Sequence, residues 1–100
     1  MNKITSDYVF HNTTLENLEL IKKEGMTAGS FSNKPIKFFG DIWLAVKKSD
    51  LPKYQVHNYG NYIAYEPNYI TGYDKEGFPI EKGIPFNKIV IVNSKGKAVK

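Results

Sequence analysis

Two side chains near the N-terminus, His11 and Thr13, are of types that bind polar ligands, and they directly precede an amphipathic segment. An imidazole nitrogen donates or accepts a hydrogen bond, and a hydroxyl group does both. The first backbone N–H groups of a following helix would also favour an anionic group such as phosphate. The alternative is structural: Thr13 only caps the helix, and His11 is an edge residue of a strand. In either case the pattern predicts both side chains where a strand meets a helix.

Trp43 follows Gly40 and Asp41 at the start of an apolar run. Its indole offers a flat face on which an aromatic ring can stack, and Gly40 lets a ligand or a backbone come close. The alternative is that Trp43 is a core residue of a strand. The segment is therefore a candidate site for a ligand that contains a planar ring.

Two carboxylates compete for a role at such a site. Glu81 lies on a short apolar segment four residues before Pro85. A carboxylate there would orient a ribose hydroxyl or stabilise a developing positive charge, unless it is an exposed residue paired with a lysine. Glu66 is the rival, since strand alternation places it on one face with Tyr62 and Ala64. The sequence leaves the choice between Glu81 and Glu66 open.

The basic residues of this 100-residue chain are all lysine, and the net charge is +4. Arginine is the residue best suited to planar, bidentate recognition of phosphates and base edges, so a sequence-specific reader of nucleic acid is disfavoured. Lysine-driven attraction to anions stays open. The chain has no Cys, and His11 and His57 are too few and too isolated to predict a zinc site.

A few short strands and one helix must position these residues. Apolar periodicity predicts a helix over 15–24, with Thr13 and Glu16 as a capping box and Gly25 as its stop. Residues 26–37 read as a polar loop and residues 69–79 as a turn-rich connection. Aromatic and β-branched runs predict strands over 8–11, 38–46, 59–66, 80–84 and 89–92. One early helix and several later strands indicate an α+β fold.

Chain length suits a single domain over residues 1–100, with residues 93–100 expected to be a frayed basic tail. No run approaches the roughly 20 apolar residues that span a bilayer. Residues 1–7 also lack the apolar core of a secretion signal. We therefore expect a cytoplasmic protein with no membrane partner.

Taken in order, these motifs resemble a minimal ADP-ribosyltransferase-fold domain, of the kind found in small bacterial toxins, phage effectors and RNA 2′-phosphotransferases. In that family a first strand ends in His-x-Thr and leads into a helix of the form Leu-x-x-Ile-x-x-x-Gly, which residues 11–14 and 18–25 match. A Gly-Asp-x-aromatic strand follows, here 40–44. A Glu shortly before Ile-Pro and a final apolar strand come later, here 81–85 and 89–92. The resemblance is specific over residues 9–25.

The resemblance implies small, split antiparallel sheets with one principal N-terminal helix, and NAD bound in the cleft between the sheets. It implies that His11 holds a ribose with Thr13 beside it, and that Trp43 stacks on nicotinamide where the family usually has Tyr. Glu81 would stabilise the transition state as nicotinamide leaves. The family commonly uses an Arg for the NAD phosphates, so a lysine such as Lys37 would take that role. The implied function is transfer of ADP-ribose from NAD to a protein or nucleic-acid target.

Two other functions remain open. A catalytically inactive phage or mobile-element protein on the same fold would bind and inhibit a partner through exposed aromatic residues of 54–73. A small basic ribonuclease-type toxin would use His11, His57 and a Glu for acid–base cleavage. Substitution separates these functions, because only the ribonuclease requires His57, whereas the transferase requires His11 and Glu81.

Overall fold

A computed structural model describes residues 4–99 and shows, in that part of the chain, an α+β fold with one α-helix and two antiparallel sheets. The helix, α1, is Leu15–Glu24, and two 3₁₀ turns are Lys48–Asp50 and Phe86–Lys88. The strands are β1 Tyr8–Thr13, β2 Phe31–Ser32, β3 Ile42–Lys47, β4 Tyr54–Asn58, β5 Ile63–Pro67, β6 Ile70–Tyr73, β7 Pro79–Glu81 and β8 Val90–Val92. The α+β class expected from the sequence is confirmed.

The helix has the predicted bounds, but its N-terminal cap is Thr14 and not Thr13. The Thr14 hydroxyl accepts a hydrogen bond from the N–H of Asn17 at 3.2 Å. The cap moves one residue along because Thr13 is still strand, paired with Ile42 of β3. At the other end, the N–H of Gly25 makes the last helical hydrogen bond, to the Ile21 carbonyl, and its φ of 79° turns the chain out of the helix, as predicted.

Six strands form the main sheet in the order β4-β5-β2-β1-β3-β8, and β6 and β7 form a separate hairpin. β1 lies inside the main sheet and pairs with β3 along its whole length. One face of this sheet, which includes Val9 and Leu44, packs against Leu18 and Ile21 of α1. Burying each of these side chains contributes roughly 1.5–3 kcal/mol to folding. Alternation along β1 sends the neighbouring residues Phe10 and Asn12 to the opposite face.

Several predicted boundaries are wrong. The strand predicted over 59–66 begins only at Ile63, and the strand predicted over 80–84 is β7, which ends at Glu81. The polar loop predicted over 26–37 contains β2, which joins β1 to β5. The strand predicted over 38–46 begins only at Ile42, because residues 38–40 form a loop bonded to a side chain of β1. The connection predicted over 69–79 is largely the β6–β7 hairpin. The pairing of β2 and the bonding of residues 38–40 join segments that are distant in the sequence, whereas the β6–β7 hairpin joins neighbouring segments.

Residues 93–99, within the segment expected to fray, form a hydrogen-bonded turn in the structure. The side-chain oxygen of Asn93 accepts from the N–H groups of Lys95 and Lys97 at 2.9 and 3.0 Å. The chain then runs back along β8, where the N–H of Val99 donates to Ile91 at 2.9 Å.

Within residues 4–99, no helix has the length and apolar character that crossing a bilayer requires.

Candidate functional site

His11 lies on β1, where the segment 29–31 covers its ring. Its Nδ1 is 2.7 Å from the carbonyl oxygen of Ser30, and its ring centroid is 5.7 Å from that of Phe31. Because a carbonyl only accepts, Nδ1 carries the proton, and Nε2 of the neutral ring is left as an acceptor. Gly29 permits this packing, since a Cβ there would lie 2.8 Å from Cε1 of His11. The hydroxyl of Tyr69 donates to the Gly29 carbonyl at 2.9 Å and holds the covering segment in place.

Burial lowers the pKa of His11 below its usual 6.5, although the hydrogen bond to Ser30 acts in the opposite direction. At pH values between the lowered pKa of the folded protein and the usual pKa of the unfolded chain, the unfolded chain binds more protons. The free energy of unfolding therefore falls as the pH drops below about 6.5. We expect His11→Gln to reduce this acid sensitivity. Urea unfolding at about pH 5 and about pH 8 measures it. His57→Gln is the control, and equal pH dependence in wild type and His11→Gln would contradict the prediction.

An aromatic pocket of about 340 Å³ opens on the face of the main sheet opposite the helix. Its floor is a row of three residues on neighbouring strands, because Phe10 of β1 pairs with Ser32 of β2 and Ser32 pairs with Ala64 of β5. Its walls are four aromatic side chains, Phe38, Phe39, Tyr59 and Tyr62. Its polar lining residues are His11, Asn12, Ser30, Ser32 and Glu66. The predicted alternation of β5 is confirmed, because Ala64 and Glu66 line this pocket whereas Tyr65 lies in the core.

Glu66 is the one carboxylate among the residues that line the aromatic pocket. Its Oε2 is 3.2 Å from Nε2 of His57 on the neighbouring strand β4. The His57 ring is stacked with Tyr59 at 6.3 Å between centroids, and Tyr59 lies 5.2 Å from Tyr62. The carboxylate and the aromatic wall are therefore parts of one contact network.

Asn12 organises the rim of the aromatic pocket, and sequence reasoning missed it. Its side-chain oxygen accepts from the backbone N–H groups of Phe38, Phe39 and Gly40 at 2.8–2.9 Å. Its amide nitrogen donates to the carbonyls of Gly40 and Ile42 at 2.9 and 3.1 Å. The signal in the sequence is a polar residue within an apolar strand. A buried amide needs hydrogen-bond partners, so such a residue indicates a segment bonded to it. Asn12 thus fixes the loop that presents Phe38 and Phe39.

Two further hollows share lining residues with the aromatic pocket. The helix-side hollow, about 250 Å³, is lined by His11, Thr13 and residues of α1 and 25–28. Thr13 is 1% exposed, and its hydroxyl oxygen has no hydrogen-bond partner among the described residues. The carboxylate hollow, about 390 Å³, is lined by Glu66 and Glu81 together with residues 27–30. We call the three spaces together the groove, which surrounds the segment 27–30.

The structure brings four of the predicted site residues to the groove: His11 and Thr13, and the rival carboxylates Glu66 and Glu81. Glu81 is exposed on β7 and lines only the carboxylate hollow, whereas Glu66 lines that hollow and the aromatic pocket. Glu66 is therefore the one of these two carboxylates that lines the same space as the aromatic walls and His11.

Trp43 and Lys37 lie outside the groove. The Trp43 indole N–H donates to the Ile36 carbonyl at 3.2 Å, so the indole anchors the loop that carries the pocket's aromatic side chains. The Lys37 ammonium sits 5.7 Å from the Trp43 ring, donates to Gly40 and pairs with Asp41 at 2.6 Å. The hydrogen bond from Lys37 lowers the pKa of Asp41. In this geometry both residues support a loop, and neither lines the space that a ligand would occupy.

The charged residues that line the groove are all acidic. They are Glu24, Glu66 and Glu81, and among the residues that the structure describes no lysine lines any of its three parts. Aromatic faces carry partial negative charge as well. The groove therefore favours a planar, positively charged group over a phosphate.

Comparisons with protein-family models, with curated protein sequences and with solved structures gave no match for this chain.

Proposed function

We propose that this protein binds oxidised NAD and transfers ADP-ribose from it to a macromolecular target. The observation that carries this proposal is the aromatic pocket, with four aromatic walls and Glu66 as its one charged lining residue besides the titratable His11. The nicotinamide ring of oxidised NAD is planar and positively charged. Aromatic faces attract such a ring by cation–π interaction, and a carboxylate adds direct charge attraction.

The residues present fit the nicotinamide riboside half of NAD. A pocket of about 340 Å³ suits a ring with its sugar. His11 lines both the aromatic pocket and the helix-side hollow, and its Nε2 offers a hydrogen bond to a ribose hydroxyl. The hydroxyl oxygen of Thr13 is fully buried, so a bound sugar would not contact it. The diphosphate finds no lysine in the lining of the groove, and Lys37 is held by Asp41. The affinity must therefore come from the ring and the sugar.

NAD, when bound, supplies the ADP-ribosyl group: the bond from the ribose carbon to the nicotinamide nitrogen breaks, and neutral nicotinamide leaves with the electron pair. The carboxylate of Glu66 would stabilise the positive charge that develops on the ribose. A nucleophile of the target forms the new bond to the ribose carbon and gives its proton to Glu66 or Glu81. Neutral His11 would orient the sugar by accepting a hydrogen bond at Nε2. Glu66 thus takes the role that the family resemblance implied for Glu81.

A binding module is the second candidate, because parts of the aromatic pocket are exposed. Phe38, Phe39 and Tyr59 are 57%, 61% and 55% exposed. Exposed aromatic side chains around a hollow are also typical of protein interfaces. In that case NAD would not bind, and substitution of Phe39 would abolish capture of a partner.

Calorimetric titration with oxidised and reduced NAD tests the proposed function. We expect oxidised NAD to bind more tightly, because the reduced ring is neutral and loses the attraction to Glu66. Glu66→Gln should weaken binding of oxidised NAD by about tenfold, equivalent to about 1.4 kcal/mol, and should leave the reduced form unaffected. Glu76→Gln, which removes an equal charge in an exposed turn outside the groove, is the matched control and should change neither titration.

A lack of binding at millimolar NAD would overturn the proposal. Equal weakening by Glu66→Gln and Glu76→Gln would show that only the net charge matters, and would refute the role of Glu66. Nicotinamide release in the presence of candidate targets then measures the transfer itself.

A further inference from the structure

A second hollow on the protein has the opposite charge to the groove. It measures about 650 Å³, and we call it the lysine hollow. Three lysines line it: Lys53 precedes β4, Lys82 follows β7, and Lys88 ends the second 3₁₀ turn. Asp50 is the one carboxylate among its lining residues. The lining therefore carries a positive net charge.

The three ammonium groups are available to a ligand. All three lysines are exposed. Among residues 4–99, the ion pairs within 4.0 Å involve Lys22, Lys37 and His57, and none involves these lysines. A cation that has no internal partner keeps its full attraction for an external anion.

The lysine hollow adjoins the groove. Asn68 and Ile70 line both the lysine hollow and the carboxylate hollow that contains Glu81. A chain bound by the lysines would therefore run beside the carboxylates of the proposed active site. At about 650 Å³, the hollow has room for more than one phosphate group.

We propose that the lysine hollow binds the phosphate backbone of a nucleic acid, independently of its sequence. Lysine is a compact point charge that attracts phosphates without the planar pairing that Arg gives to base edges. The remaining walls mix aliphatic and polar residues, and no lining residue is aromatic and able to stack on bases. This inference names nucleic acid as the target class of the proposed function. Binding of nucleic acid does not depend on that function, but transfer of ADP-ribose to the bound nucleic acid rests on it.

Fluorescence anisotropy with a labelled RNA of about 12 nucleotides tests the inference. The variant is Lys53→Gln/Lys82→Gln/Lys88→Gln, and the matched control, Lys23→Gln/Lys75→Gln/Lys95→Gln, removes equal charge at exposed positions outside the hollow. We expect the hollow variant to lose at least about tenfold in affinity near 50 mM salt. The slope of log affinity against log salt concentration should be smaller in magnitude by about two in this variant than in wild type. Each lost phosphate contact removes about 0.7 from the slope for a single strand. The control variant should change affinity by less than about threefold.

Equal losses in the two variants, or no binding of wild type at low salt, would overturn the inference. So would an acidic peptide that displaces the RNA at equal charge concentration, because the hollow would then be a site for an acidic protein. NAD titration of the hollow variant separates the two proposals. Unchanged NAD binding with lost RNA binding supports both, whereas NAD binding without any RNA binding by wild type refutes only the lysine hollow.

Discussion

Gly40→Ala should destabilise the protein by about 3 kcal/mol or more, which is a large part of the 5–15 kcal/mol typical of a domain. A Cβ at this position would overlap the carbonyl group of Thr13 and lie 2.9 Å from the N–H of Thr14. Neither neighbour has room to move, because Thr13 is 1% exposed and is paired with Ile42 in the centre of the main sheet. The clash is between two backbones, so a change of side-chain rotamer does not relieve it.

Urea unfolding followed by circular dichroism measures the effect. Gly72→Ala is the matched control, since a Cβ there meets nothing within 4 Å. It should change the free energy of unfolding by less than about 0.5 kcal/mol. If the two variants unfold at the same urea concentration, the prediction that a side chain at position 40 clashes with the backbone of β1 is wrong.

Asn12→Ala should lower the free energy of unfolding by about 2–4 kcal/mol and, if the proposed function holds, should weaken NAD binding. The substitution removes five hydrogen bonds between one buried side chain and the loop 38–42. Water replaces some partners, but the backbone of Gly40 is buried, and each buried polar group left unpaired costs about 1–3 kcal/mol. Because the same loop presents Phe38 and Phe39, its release would also remove part of the aromatic wall.

Urea unfolding and NAD titration of the same variant measure the two effects together. Asn58→Ala is the control, because the Asn58 side chain accepts one exposed hydrogen bond from Gly60 at 2.9 Å. It should change stability by less than about 1 kcal/mol and leave NAD binding unaffected. A stable Asn12→Ala variant that binds NAD normally would contradict the role assigned to Asn12.

Local features of the sequence determined the helix and one face of β5. The helix bounds 15–24 were predicted correctly, because apolar periodicity and a stop residue act within a few turns of chain. The face shared by Ala64 and Glu66 was predicted from strand alternation, which is a property of the extended backbone itself. The placement of His11 and Thr13 beside the helix followed from the same local order.

Only the tertiary structure decided which of these residues share a site. β2 has two residues, which are too few to give a periodic signal in the sequence. It nevertheless pairs with both β1 and β5, and so places Phe10, Ser32 and Ala64 side by side at the floor of the aromatic pocket. Trp43 had the chemistry of a ring-binding residue, but the fold uses its N–H to hold a loop. The lysine hollow combines three segments that are separated by up to 35 positions in the chain. Sheet register and long-range packing determine such neighbourhoods, and neither is encoded within a window of a few residues.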